Sequence, residues 1–236
     1  MSDLLYLEDS YLKKFNTKVK KVNKGKFVVL EETAFYPNSG GQPHDTGFIQ
    51  KGDEKFKVVY VGKFDGEISH EVEDRGLEEG DEVCCVIDWE RRYSLMKMHT
   101  AAHVLSSVVH NETGAKITGN QLDVDRSRID FSLDNFDKDK MGKYVAEASR
   151  ILEKGLDVKT YTLPREEAMK IPSVVKLANA LPPNIKELRI VEIGDVDTQA
   201  DGGTHVKNTS EVGKIELVKV QNKGKNNRRI YYTLKE

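Results

Sequence analysis

Cysteine is almost absent from this chain: there are two in 236 residues, and those two, Cys84 and Cys85, are adjacent. Neighbours on a strand point to opposite faces. The pair therefore supplies neither a disulfide framework nor a zinc knuckle, and reads as small buried apolar residues. No apolar run approaches the roughly 20 residues needed to cross a bilayer. The opening stretch Met1-Ser-Asp-Leu-Leu-Tyr-Leu-Glu8 lacks a basic region followed by a cleavable apolar segment, so a soluble, cytoplasmic protein with no membrane partner is expected. Net charge is also slight, at -2, which argues against a uniformly basic nucleic-acid binder. Repeats and low-complexity tracts are lacking. Ser39-Gly-Gly-Gln-Pro43 has neither the Lys-Ser/Thr of a phosphate loop nor the glycine order of a dinucleotide fingerprint, so nucleotide binding there is disfavoured.

What is present is unevenly placed. Seven lysines and no acid lie between Lys13 and Lys26, and a second basic stretch runs from Lys214 to Lys235. Between them Asp123, Asp125, Asp130, Asp134, Asp137 and Asp139 make an acidic stretch. Basic segments of this kind either form solvated faces or grip phosphates of a folded RNA, here with Tyr231 and Tyr232 close by.

At 38% hydrophobic and 32% charged residues, the chain can build one large core or two small ones. The pattern divides near residue 90. Before it, short β-rich runs (26–30, 55–61, 68–72 and 82–88) alternate with Gly, Pro, Asn and Asp turns, as in a small barrel or curled sheet. Asp88 then caps a long helix from Trp89 to about Asn111, stopped by Gly114. Strands are expected at 128–133, 158–163, 188–193 and 198–200, helices at 138–154 and 165–170, and a hairpin over 216–234. The expected class is α+β: a barrel-like domain over residues 1–90 and, over 91–236, an antiparallel sheet packed with helices.

Within the long helix lies Met98-His-Thr-Ala-Ala-His103. Residues at i and i+4 share a helix face, so His99 and His103 can hold one cation together. About a hundred residues later, Gln199-Ala-Asp-Gly-Gly-Thr-His205 offers a third imidazole beside small residues. Three histidines with room for water are a set that catalytic zinc prefers. His110 extends the same stripe, and suits a charged group near a helix C-terminus better than a ligand.

His99-Thr-Ala-Ala-His103, Gly202-Gly-Thr-His-Val206 with Asn208-Thr209, and the earlier Tyr36-Pro-Asn-Ser-Gly-Gly-Gln-Pro-His-Asp-Thr-Gly47 occur in an order that resembles alanyl-tRNA editing proteins of the AlaX type, similar to the editing domain of alanyl-tRNA synthetase. The three motifs span most of the chain. The resemblance implies a zinc-dependent deacylase for Ser-tRNA(Ala), and in some members Gly-tRNA(Ala), whose partner is tRNA(Ala) carrying the wrong amino acid. It also implies that Gly40, Gly41 and Gln42, with Gly202 and Gly203, line or support the substrate pocket.

One departure stands out. Where the family usually has cysteine, four residues before His205, this chain has Asp201. A carboxylate keeps the anionic charge of a thiolate but is a harder ligand. Asp201 is thus either a fourth zinc ligand or a general base beside a three-histidine site, and a weakened site remains a third reading. Thr100, Thr118 and Gln121 are candidate partners for a serine hydroxyl, and Lys20, Lys21, Lys223, Lys225, Arg228 and Arg229 are candidate tRNA contacts. Two alternatives stay open: a tRNA-binding module with a decayed metal site, and a deacylase for another aminoacyl-tRNA such as Ser-tRNA(Thr).

Overall fold

The computed structural model describes residues 3–134, 137–172, 174 and 185–235. The chain forms two compact units, Met1–Ser94 and Leu95–Glu236.

In the first unit β1 (Asp3–Leu4) and a single turn of helix, α1 (Leu5–Glu8), precede β2 (Lys14–Asn23), β3 (Phe27–Leu30), β4 (Glu32–Thr33), β5 (Gly47–Lys51), β6 (Glu54–Phe64), β7 (Glu67–Val72) and β8 (Glu82–Ile87). Six of these close a barrel in the order β2-β3-β7-β6-β5-β8, every pairing antiparallel. Closure leaves no exposed sheet edge. Inward residues alternate along each strand, so Phe15, Val19, Val28, Leu30, Ile49, Val58, Ile68, Val83, Cys85 and Ile87 fill one apolar core. Cys84, the partner on the opposite face, is half-buried.

Two barrel strands, β2 and β5, are not among the runs expected from sequence. The lysine-rich segment is itself β2: Phe15 and Val19 point inward while its lysines occupy the outer face and meet acids of neighbouring strands. Lys18 lies 3.4 Å from Glu82 and Lys20 2.7 Å from Glu67. Such exposed pairs contribute little to stability, but they occupy cations that the sequence offers to phosphate.

A fully buried histidine sits in this barrel. His70 Nδ1 donates to the Val28 carbonyl at 2.9 Å, and its Nε2 accepts from the Thr33 hydroxyl at 2.8 Å. The loop from Tyr36 to Thr46 holds the glycine-rich motif. Ser39 and Gln42 exchange backbone hydrogen bonds across Gly40 and Gly41, whose positive φ values (59° and 86°) make the two-residue turn glycine's own. The Asp45 carboxylate accepts from Tyr36 N at 2.6 Å and receives the Arg92 guanidinium, and neither Asp45 nor Arg92 is exposed. Arg92 also donates to the carbonyls of Ser10 and Ala34.

Arg92 belongs to α2 (Trp89–Thr113), which the boundary between the units crosses. Asp88 caps it, accepting from Arg91 N at 3.3 Å. From Leu95 onward almost every residue is buried, including Leu95, Met96, Ala101, Val104, Leu105 and Val109, so the helix is enclosed on all sides. It ends where Gly114 N donates to the His110 carbonyl, and His110 Nδ1 bonds the Ala115 carbonyl at 2.9 Å.

The second unit continues with β9 (Ile117–Gln121), β10 (Ser127–Phe131), α3 (Lys138–Leu152), β11 (Val158–Pro164), α4 (Arg165–Ala168), β12 (Glu187–Ile193), β13 (Asp197–Ala200), a short 3-10 turn (Thr209–Glu211), β14 (Lys214–Asn222) and β15 (Arg228–Lys235). The α+β class read from sequence holds, and the antiparallel strands of this unit form two sheets, a four-stranded one in the order β14-β15-β10-β9 and a three-stranded one in the order β11-β12-β13. Asp137 caps α3 by accepting from Asp139 N and Lys140 N, and the buried face Met141, Val145, Ala148 and Leu152 repeats at helical spacing. Ser149 on α3 accepts from Ile215 N of β14 at 3.0 Å. Tyr232, wholly buried on β15, donates to the Met98 carbonyl at 2.8 Å and fixes this sheet against α2. No helix among the described residues is long and apolar enough to cross a membrane.

Candidate metal centre

His99 and His103 stand one turn apart on α2, both buried. β13 runs toward them and ends in the turn Asp201-Gly202-Gly203-Thr204, which delivers His205. Arg189 on β12 holds that turn, donating to the carbonyls of Asp201 and Gly203 at 3.0 Å each, while Asp201 N donates to the Arg189 carbonyl. The Asp201 carboxylate accepts from Gly203 N at 2.5 Å. Gly203 is demanded by crowding: a Cβ there would fall 2.5 Å from His99 Nδ1 and 2.9 Å from Asp201 Oδ1, and closer still to His99 Cε1.

The three imidazoles converge on one carboxylate. His205 Nε2 is 3.3 Å from Asp201 Oδ1, and the Nε2 atoms of His99 and His103 are 3.5 and 3.8 Å from Asp201 Oδ2. One ligand atom from each of the four residues lies within 4.8 Å of every other. Tetrahedral zinc with ligands at 2.0–2.2 Å needs donors separated by about 3.4 Å, close to the nitrogen–oxygen distances here, and the mixed nitrogen and oxygen set suits its chemistry. Asp201 is placed as a ligand would be.

Supporting bonds fix the rings. His103 Nδ1 donates to Asp197 Oδ2 at 2.8 Å, which turns Nε2 toward the centre. The Gln199 amide donates to both oxygens of Asp197. Thr100 Oγ1, itself buried, is 3.2 Å from His205 Nδ1 and accepts from Val206 N, and so orients the third ring. Burial works against a charged imidazole at His103, but Asp197 and Asp201 outweigh it and raise this group to about 9. At His205 burial, with the neighbouring charge of His99, lowers the group well below its ordinary value. Asp201 is held well below the usual carboxylate range: burial opposes this, and the charge of His99 with hydrogen bonds from the histidines overcomes it. A carboxylate kept ionised among imidazoles is a prepared cation site.

A cavity of about 30 Å³, lined by His99, His103, Asp201, Asn120, Ser106 and Gln199 among others, adjoins this centre. That is room for a water-sized guest. Thr118 and Gln121 do not line it. Both are exposed; the Thr118 hydroxyl donates to Asn227 and the Gln121 carbonyl accepts from Arg128. Register explains this. In the β9–β10 pairing Asn120 lies opposite the buried Ile129, facing inward, and Gln121 lies opposite Arg128, facing out. Asn120, Ser106, Gln199 and Asp197 escaped the reading of the sequence.

Gly40, Gly41 and Gln42 lie in the first unit. Lys21, Lys223 and Lys225 are exposed, whereas Lys20 is paired with Glu67. The Arg228 guanidinium is buried in the β14–β15 turn, donating to Asn222, Gly224, Asn227 and Asp134, and so shapes the hairpin. Arg229 grips Asp130 with two bonds of 2.7 and 2.8 Å.

Comparison with known proteins meets this geometry. A family model described as threonyl and alanyl tRNA synthetase second additional domain matches residues 188–231, which include β13, Asp201 and His205. Another, described as tRNA synthetases class II (A), matches residues 7–91. The chain is 48% identical to the alanyl-tRNA editing protein AlaX-M of Methanosarcina acetivorans, over 99% of both chains. It is 46% identical to the protein of that name from Saccharolobus solfataricus, over the whole of both. A 41% match to the alanine--tRNA ligase of Pyrobaculum aerophilum takes in 92% of this chain but 25% of the ligase. Near-complete alignment at such identity leaves one conclusion: the chain belongs to the alanyl-tRNA editing protein family.

Proposed function

We propose that the protein is a trans-editing enzyme that hydrolyses the ester of mischarged Ser-tRNA(Ala), with Zn2+ held by His99, His103, Asp201 and His205. Its family makes it an aminoacyl-tRNA deacylase; the substrate, the metal and a cytoplasmic place of work are our reading. The observation that carries it is the convergence of three Nε2 atoms on the Asp201 carboxylate beside a polar cavity.

When bound, zinc supplies a Lewis acid for the ester carbonyl. The chain's own groups do the rest. Asp197 and Thr100 hold His103 and His205 in the tautomer and orientation that present Nε2 inward, which makes Thr100 a positioning residue. Arg189 and Gly203 keep the Asp201–His205 turn close against α2. Asn120, Ser106 and Gln199 present amide and hydroxyl groups to the cavity, where a seryl hydroxyl can bond them. An alanyl group leaves those partners unpaired, and sites of this kind discriminate by up to roughly 10⁴-fold. Thr118 and Gln121 would act only indirectly, through strand β9. Exposed Lys21, Lys223 and Lys225 suit phosphate contacts.

The test is serine release from Ser-tRNA(Ala), with and without a chelator, alongside Gly-tRNA(Ala), Ser-tRNA(Thr) and Ala-tRNA(Ala). Chelator-sensitive release of serine that spares alanine is the expected result. Release from Ser-tRNA(Thr) alone would move the substrate, and no release from folded, zinc-loaded protein would sink the enzymatic reading.

A further inference from the structure

The outer face of the four-stranded sheet carries an ordered basic and aromatic surface. Across β9, β10, β15 and β14 the register places Gln121, Arg128, Tyr231 and Lys219 in one row, and Gly119, Asp130, Arg229 and Gln221 in the next. Directly paired residues share a face, so these side chains stand together. The opposite face presents Ile129, Ile230 and Tyr232 to the core and Asn120 to the histidine cavity. The polar rows therefore look away from the metal centre.

Tyr231 is the middle of this surface. The Arg126 guanidinium lies over its ring at 5.2 Å and that of Arg229 at 5.9 Å. Asp130 clamps Arg229 through two bonds and Arg128 through a third at 3.1 Å, so both guanidiniums are fixed in place. The Tyr231 hydroxyl reaches Gln221 and accepts from Arg229. Lys219 and Lys223 are exposed at the rim. Within these rows Asp130 is the one carboxylate, against Arg128, Arg229 and Lys219; Arg126 stands in the β9–β10 turn with the exposed Asp123 and Asp125, and Glu216, at the edge of the same face, is paired with Lys235 at 3.4 Å. The phenol of Tyr231 is lowered by its bond to Arg229, with Lys223 and Arg128 contributing, as expected in a local positive potential. In a chain whose formal net charge is -2, this is a concentrated patch.

We propose that this sheet face is an RNA-docking surface, on which the exposed Arg126 side chain moves off the Tyr231 ring, Tyr231 stacks an unpaired nucleobase in its place, and Arg126, Arg128 and Lys219 meet the flanking phosphates. Charge complementarity to a polyanion, together with an aromatic ring beside the guanidiniums that Asp130 fixes, selects RNA over other anionic partners. The proposal rests on the tRNA reading above and adds to it a location: because the face is turned from the metal centre, the docked nucleotide belongs to a part of the tRNA away from its reacting end.

The experiment is a fluorescence-anisotropy titration of labelled, uncharged tRNA(Ala) with the full chain, over a series of salt concentrations. Arg126 is exposed, so Arg126→Glu tests the surface without disturbing the core; Tyr231→Ala and Tyr231→Phe test stacking, and circular dichroism melts confirm folding. Arg126→Glu and Tyr231→Ala are expected to weaken binding about tenfold or more, Tyr231→Phe to bind as the wild type does, and Arg126→Glu to reduce the salt slope by about 1. Wild-type affinity in folded Arg126→Glu and Tyr231→Ala would overturn the proposal. So would equal affinity of the wild type for polyglutamate of matching charge. Because the RNA carries no amino acid, this result is read separately from serine release: the surface stands or falls whether or not the ester is cleaved.

Discussion

Replacing Gly203 by alanine is the smallest change that separates the metal centre from the fold. The new methyl would overlap the His99 ring, so either the ring or the Asp201–Thr204 turn must move. We expect Gly203→Ala to fold with a thermal midpoint near that of the wild type and to retain little stoichiometric zinc, as read by metal analysis after dialysis. Full zinc occupancy would show that the ring has room to shift. Asp197→Asn is a subtler probe. It preserves shape but no longer draws the Nδ1 proton of His103 toward a charge, and loss of such a partner ordinarily costs 10–100-fold in metal affinity. Competition against a chromogenic chelator measures that loss, and an unchanged affinity would remove Asp197 from the site. At this scale the histidines were legible because helical spacing and a glycine turn are local signals. Asp197 and Gln199 carried a signal too: with Asp201 they alternate at period two into the turn, but that pattern gains meaning only once β13 is known to face α2. The choice of Gln121 over Asn120 failed by one residue, which on a strand is the difference between the two faces.

At the scale of the elements, the barrel strands hold an imidazole that must stay neutral. Burial, partly offset by the bond to the Val28 carbonyl, lowers His70 from its ordinary 6.5 to about 4. A group depressed in the fold contributes stability above its unfolded value and loses it as pH falls toward the folded one. The contribution of His70 is therefore complete above about pH 6.5, declines below it and is gone below about pH 4, a difference of about 3 kcal/mol in all. Denaturant midpoints at pH 7 and pH 4.5 should differ less in a folded His70→Asn protein than in the wild type; equal pH dependence would show that other groups govern acid sensitivity. The long helix α2 announced itself through its cap, its length and Gly114. Strand β2 did not, because its four lysines mask an inward alternation carried by just Phe15 and Val19. The division of the second unit into two sheets was likewise hidden, since strand pairing between distant segments leaves no local mark.

At the scale of the whole molecule, a ligand that binds only the folded chain adds to its stability by mass action. Zinc at a hundredfold excess over its dissociation constant should add about 2.7 kcal/mol, raising the midpoint of chelator-stripped protein by roughly 5–10 °C in a chain of this size. Asp201→Ala should show less of that rise, together with less serine release. A full rise with lost release would instead make Asp201 a base beside a three-histidine site.

The buried pair of Asp45 and Arg92 carries a consequence for how this sequence can change. Removing either partner leaves a charge in the core with its hydrogen-bonding groups unmet, at a cost of about 3–5 kcal/mol, whereas replacing both with apolar residues of similar volume is often neutral. Each single step is thus more unfavourable than its share of the double step, which strands only the Tyr36 amide and the Ser10 and Ala34 carbonyls and no charge, so the two positions are epistatic. Descent through point substitutions will keep the two codons together, and a library that varies one position at a time will find both immovable.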